Sequence, residues 1–296
     1  MVRFVEAPRH RLGLLVVAAR RAARLSGLLK LRKSEAGAFF FGKRTKIAIC
    51  SSLVAILSWF NLFLTGTTFF YLFVLSLAVI AAFILWVLSE DLAGVKFFTI
   101  PALPIFYLGS YLLLADLLNL TAVGVFVAGL VLGISFYILL LTQNIYNIAS
   151  VRSIGLVRAA AVSGTLFIII CAFLAYGIVW LQNWPFWYLT PAILLISFVL
   201  FTIAIWSHHL DEKIDNKTVM FSAILALVLA QIATALSFWP LLPLISALVL
   251  AIVFYVVLGL TQFELQQRLT ARVVYEYLSI AAVVLVLILV TTRWGG

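Results

Sequence analysis

Residues 158–183 read RAAAVSGTLFIIICAFLAYGIVWLQN, with no charged side chain in the 23 residues between Arg158 and Gln182. An α-helix rises about 1.5 Å per residue, so such a run reaches across the roughly 30 Å hydrocarbon core of a bilayer. The same pattern, an apolar run and then a short polar break, recurs on both sides of it. It gives nine spans: 47–65, 67–88, 98–117, 121–142, 158–181, 186–207, 218–238, 240–260 and 274–292. Irregular backbone cannot face lipid, so each span is expected to be helical. The expected fold class is therefore all-α, a polytopic helical membrane protein of about nine transmembrane helices.

Composition agrees. Hydrophobic residues make up 66% of the chain and charged residues 10%, against about 45–50% and 25% in soluble domains. With seven prolines and sixteen glycines there is no linker-like stretch, so one membrane domain (46–296) is expected after a basic segment (1–45). Two hairpin turns are legible, one at Asn119 and Thr121 and one at Trp239-Pro240, where proline cannot continue the preceding helix. Cys50 and Cys171 both lie in apolar runs and are expected to be packing residues.

Orientation comes from charge. Nineteen of the twenty Lys and Arg residues fall on the N-terminal side of the nine-span scheme, and only Arg293 falls opposite. The positive-inside rule then puts the N-terminus in the cytoplasm and, with an odd number of spans, the C-terminus outside. Tryptophan and tyrosine cluster at the span ends, as an interfacial belt requires. Short loops and a clean charge bias suit a bacterial inner membrane.

A tandem duplication is a second expectation. Cys50 and Trp59 are answered by Cys171 and Trp180, Phe70-Tyr71 by Trp187-Tyr188 and Trp86 by Trp206. Phe136-Tyr137 is answered by Phe254-Tyr255, and Thr142-Gln143 by Thr261-Gln262. The copies would be 46–157 and 158–273, each of four spans with one orientation, followed by a ninth helix at 274–292. The fit fails at Lys46, which would match apolar Phe167.

Residues 9–32 combine charge with apolar bulk. On a helical wheel Arg9, Arg20, Arg21 and Arg24 share an arc of about 120°, with Leu12, Leu15 and Val16 on another face. A basic amphipathic helix on the cytoplasmic leaflet, held by anionic lipid headgroups, fits better than a cleaved signal, because Arg20-Arg21 follows the short apolar run at once. An Arg-rich, acid-poor transit peptide is the competing reading. Nucleic acid is not expected as a partner, since the basic excess is mostly topogenic.

Few residues could carry chemistry. Apart from Arg158 and Glu276 at the basic ends of their spans, Asp116 is the one charged group inside a span, near its outer end, and Asn61 and Gln231 are the polar residues best suited to bonds between helices. These three form the candidate polar path. In the loop 207–217, His208, Asp211, Glu212 and Asp215 would share a face if the helix continued, a spacing that could hold a divalent cation. A hydrated loop with local ion pairs to Lys213 and Lys217 accounts for it better. Asp91 answers Asp211 at the same repeat offset. Glu264, Arg268, Arg272 and Glu276 recur every four residues and would line one helical face, a candidate cytoplasmic docking stripe together with Asp91, His208, Asp211 and Glu212. The matching polar segment 143–158, with Asn144 and Asn147, could lie flat on the inner leaflet.

No pattern for nucleophilic, metal or nucleotide chemistry is present, and three histidines are too few for a multi-His array. No cofactor is expected, nor catalysis. The dry interior favours a non-catalytic scaffold or accessory subunit with protein partners in the membrane. The alternative is a permease for a lipid-like or neutral solute, with its path between the two repeats.

Overall fold

A computed structural model describes residues 42–88, 96–147, 154–209 and 215–292. Among these there are nine α-helices and no strand: α1 (Lys43–Phe63), α2 (Gly66–Leu88), α3 (Lys96–Leu117), α4 (Ala122–Asn147), α5 (Ile154–Leu181), α6 (Phe186–His209), α7 (Asn216–Ser237), α8 (Pro243–Leu265) and α9 (Ala271–Thr291). All nine are long and apolar enough to cross a membrane, and each expected span falls on one of them. The chain divides into two units, Met1–Lys46 and Ile47–Gly296. In the first unit the described part is Gly42 and the opening of α1, and the rest of the helical bundle belongs to the second. The amphipathic segment with Arg9, Arg20, Arg21 and Arg24 lies outside the described residues, as do Asp91, Asp211 and Glu212.

Four turns at one end of the bundle join α1–α2, α3–α4, α5–α6 and α7–α8. Asn119 takes φ 48° beyond α3 and Asn183 takes φ 51° beyond α5. Both are the residue type that enters the left-handed region most readily after glycine. Thr121 then accepts the Gly124 N–H at 3.3 Å, starting α4. Lys96, Lys217, Arg268 and Arg272 all lie toward the opposite, basic end.

α5 is the hub: it packs on α3, α4, α6 and α8, and its Cys171, Ala172 and Tyr176 are fully enclosed. The most extensive helix pair is α6–α7. Small buried residues recur along α7 at Ser222, Ala226, Ala230 and Ala233, which lets two backbones approach closely where lipid offers no hydrophobic drive between helices. Thr190 and Thr234 join this pair by a 2.7 Å hydroxyl bond. α1 crosses α4 at Gly129 and Gly133, where the Trp59 indole covers Gly129 and an added Cβ on Gly133 would lie 2.8 Å from the Ala55 Cβ.

Helix starts at Gly66, Lys96 and Ala122 are answered by starts at Phe186, Asn216 and Pro243, at offsets of 120, 120 and 121. The halves nevertheless pack unequally, since α6–α7 is far more extensive than α2–α3.

Two expectations about polar segments need correction. Residues 262–277 are not one helix. α8 ends at Leu265 and Gln267 takes φ 53°. The Gln267 N–H then bonds Glu264 O at 2.8 Å, and the Arg268 N–H bonds Phe263 O at 3.0 Å, the paired closure of a Schellman motif. Glu264 and Arg268 are thus separated from Arg272 and Glu276, which share α9 and a 3.2 Å Nε–Oε1 ion pair. Nor does Asn147 lie flat on a leaflet. It is buried at the end of α4 and donates to Leu88 O at the end of α2, at 3.0 Å.

Candidate functional site

The three residues of the candidate polar path sit on separate helices and share no hydrogen-bond partner among the described residues. Asn61 is fully buried and clamps α1 to α2: its Nδ2 donates to Leu57 O at 2.9 Å and to Ser76 Oγ at 3.3 Å. Asp116 is half-buried in the last turn of α3. Gln231, expected to bond between helices, is exposed on α7, and its side chain makes no hydrogen bond to another described residue. His208 lies in the last turn of α6. Among the described residues no three His, Cys, Asp or Glu side chains cluster as a metal site would need.

The interior is closed by local bonding. Buried hydroxyls return to their own helices: Ser51 to Ala48 O at 2.9 Å, Ser58 to Ala55 O at 2.7 Å, Ser207 to Ala204 O at 2.8 Å and Ser222 to Thr218 O at 2.7 Å. Each satisfies its own donor without water. Between α3, α4 and α5 the space is filled by aromatic side chains. Tyr107 meets Phe167 edge-on at 5.6 Å and bonds Ser135 Oγ at 2.8 Å, while Tyr111 donates to Ala128 O at 2.9 Å.

One cavity, of about 310 Å³, lies between α1 and α4 beside Gly133 and Tyr137; the three that follow lie in the second half. Helix α7 stops at Ser237, and the Trp239 N–H bonds back to Leu236 O at 3.0 Å before Pro240 and Pro243 redirect the chain. Trp239 is then pinned to the end of α9, its Nε1 donating to Thr292 Oγ1 at 2.7 Å. On one side of this indole is a cleft of about 430 Å³ between α7, α8 and α9, lined by aliphatic side chains including Ile232, Val253, Val284 and Ile288. Trp239 also borders a second cavity of about 370 Å³, shared with Trp180, Asn183, Trp184, Phe186 and Trp187 of the α5–α6 turn. Trp180 Nε1 is buried with no hydrogen-bond partner. Among the described residues no charged side chain borders either cavity.

A third cavity, of about 310 Å³, lies toward the basic end between α5, α8 and α9. Gln262 lines it, with a buried and unpartnered Nε2, and Tyr277 covers Gly259 so closely that a Cβ there would strike its ring.

Sequence reasoning took Trp180 and Trp187 as repeat markers, Trp239 as a turn residue and the tryptophans at span ends as an interfacial belt, and none of them as a cavity wall. The signal for a cavity was their density at two neighbouring turns, Trp184-Pro185-Phe186-Trp187 and Phe238-Trp239-Pro240.

No curated protein and no solved structure matches the chain. Residues 54–291, which take in nearly all of the helical bundle, match a protein family, and the chain belongs to that family, described as protein of unknown function (DUF5656).

Proposed function

We propose that this protein is a non-catalytic scaffold or accessory subunit of a membrane assembly, in a bacterial inner membrane with its basic end in the cytoplasm. The observation that carries this reading is the occupied interface between α1–α4 and α5–α8. A permease built from two repeats would run its path there, yet α5 fills that position, its polar contacts to α4 are satisfied pairwise (Thr142 with Ser163 at 3.0 Å, Tyr146 donating to Ala160 O at 2.9 Å), and Tyr107 and Phe167 close the remaining space. The near-coincident helix starts support tandem four-helix copies, with α9 added to bring the C-terminus outside. The basic N-terminal segment, through Arg9, Arg20, Arg21 and Arg24, binds anionic headgroups. The exposed Arg272–Glu276 pair on α9 offers a cytoplasmic contact to a protein partner.

Native mass spectrometry of the protein gently extracted from its own membrane tests this directly. A polypeptide retained in fixed stoichiometry is the expected result. A monomer or homo-oligomer that carries only a small solute, and that moves it across proteoliposomes, would overturn the scaffold in favour of the permease. Replacing Asn61, Asp116 and Gln231 together by apolar residues should leave partner retention unchanged.

A further inference from the structure

We propose that two copies of this chain pair in the membrane through the lipid-facing stripe of α7, with their Gln231 amides bonded to each other across a two-fold axis.

Gln231 lies six residues before the end of α7 at Ser237 and is exposed, and its side chain makes no hydrogen bond to another described residue. Among the described residues no other amide or charged side chain is exposed six or more residues from both ends of its helix. At about 1.5 Å per residue, Gln231 stands roughly 9 Å inside the helix end. The nearer headgroups are those at the turn end, where α7 has its C-terminus, whereas helical Cα–Cβ bonds tilt toward the N-terminus. The amide is thereby directed deeper into the hydrocarbon, where its N–H and C=O groups are costly to leave unbonded.

The surface around it has the pattern of a helix seam. Met220, Ile224, Leu227 and Phe238 are exposed as well. At 100° per residue these four and Gln231 fall within an arc of about 60°, at intervals of four, three, four and seven residues. That is the 3.5-residue repeat that keeps two parallel helices in contact over several turns. Ser222, Ala226, Leu229 and Ala233 are buried on the opposite side of α7, so the fold itself does not use the seam. Gln231 occupies the position where a single polar residue in an apolar seam fixes register and copy number.

The amide and its depth select a second copy as the occupant. A carboxamide carries two N–H donors and a carbonyl acceptor, so two of them related by a two-fold exchange a pair of N–H···O bonds. Nineteen of the twenty basic residues fall on one side of the nine-span scheme, so all copies insert the same way round and the two-fold runs along the membrane normal. Symmetry then sets one Gln231 opposite the other at the same depth. The pairing does not rest on the scaffold reading, which concerns a different polypeptide.

Full-length chains carrying donor or acceptor fluorophores, reconstituted together in proteoliposomes of phosphatidylethanolamine and phosphatidylglycerol, test this by energy transfer as the lipid-to-protein ratio is raised. Transfer should persist on dilution. Gln231→Leu should weaken self-association about tenfold, with an unchanged melting temperature for the monomer, while Gln231→Asn, which keeps an amide, should retain most of it. In host membranes, oxidation with copper phenanthroline should link Leu227→Cys into a disulfide dimer but not Val131→Cys, on the exposed face of α4; Cys50 and Cys171 are fully buried. Transfer that vanishes on dilution would leave the stripe to lipid and overturn the proposal. So would undiminished pairing of Gln231→Leu, equal disulfide yields at the two positions, or a different polypeptide that Gln231→Leu releases from the extracted protein.

Discussion

Gly129 and Gly109 show how one methyl group takes opposite signs in the same bundle. At Gly129 a Cβ would fall on the Trp59 indole, whose ring stacks on Phe126 at 5.0 Å and whose Nε1 donates to Phe126 O at 3.1 Å. Gly129→Ala must displace that ring and lose both contacts, so it should destabilise by about 2 kcal/mol. At Gly109 the nearest atom to a new Cβ is a Leu77 methyl at 3.8 Å, an ordinary contact, and the helix gains propensity. Gly109→Ala should therefore leave stability unchanged or raise it by up to about 1 kcal/mol. Thermal melts of the two variants in one detergent check the contrast, and equal shifts would show that α1 does not close on α4 as described. Tyr176 supplies a polar test. It is fully buried, with its hydroxyl 2.8 Å from Ser197 Oγ. Tyr176→Phe should cost about 1 kcal/mol, and adding Ser197→Ala should cost less than the sum of the singles, because the orphaned hydroxyl is removed with its partner.

At the scale of elements, the end of α8 rests on a residue that fits its backbone poorly. Gln267 carries φ 53° in a Schellman closure where glycine is the usual occupant. Gln267→Gly should raise the melting temperature slightly, since relief of strain of about 1–2 kcal/mol outweighs the added freedom of the unfolded chain. Gln267→Val should lower it, because a β-branched side chain tolerates that region least. If both variants melt alike, the link between α8 and α9 is not closed in this way. The same residue shows why this break was illegible in sequence: no Gly or Pro marks it, while charges every four residues from Glu264 to Glu276 favour a continuous helix. The turns at Asn119 and Trp239-Pro240 were legible because their residue types carry the backbone reason with them. Hydropathy located every span but ended α4 near residue 142, although the helix continues through Gln143 to Asn147. Those last polar residues stay helical because they are buried at the end of α4, where Asn147 meets Leu88 O. The two cavities beside Trp239 were beyond sequence reasoning. They depend on side-chain volumes contributed by helices far apart in the chain, such as Val253 against Val284.

For the whole molecule, the decisive quantity is the parity of the helices. α9 has the smallest buried share of the nine spans and packs chiefly on α8, so the other eight already close one core around α5. Ending the chain after Gln267 removes Tyr277 from Gly259 and Thr292 from Trp239, losses at the margin of that core. The shortened protein should insert and fold, with a lower melting temperature. Its C-terminus should also change sides, because eight crossings return the chain to the basic end and nine do not. Fusing alkaline phosphatase or green fluorescent protein at each C-terminus in a bacterial host reads this out. The full chain is expected to yield active phosphatase and little fluorescence, and the chain ending at Gln267 the reverse. Matching signals from both lengths would mean that α9 does not cross. Arg293 would then join the other nineteen basic residues on one side, and the cleft between α7, α8 and α9 would no longer lie within a leaflet.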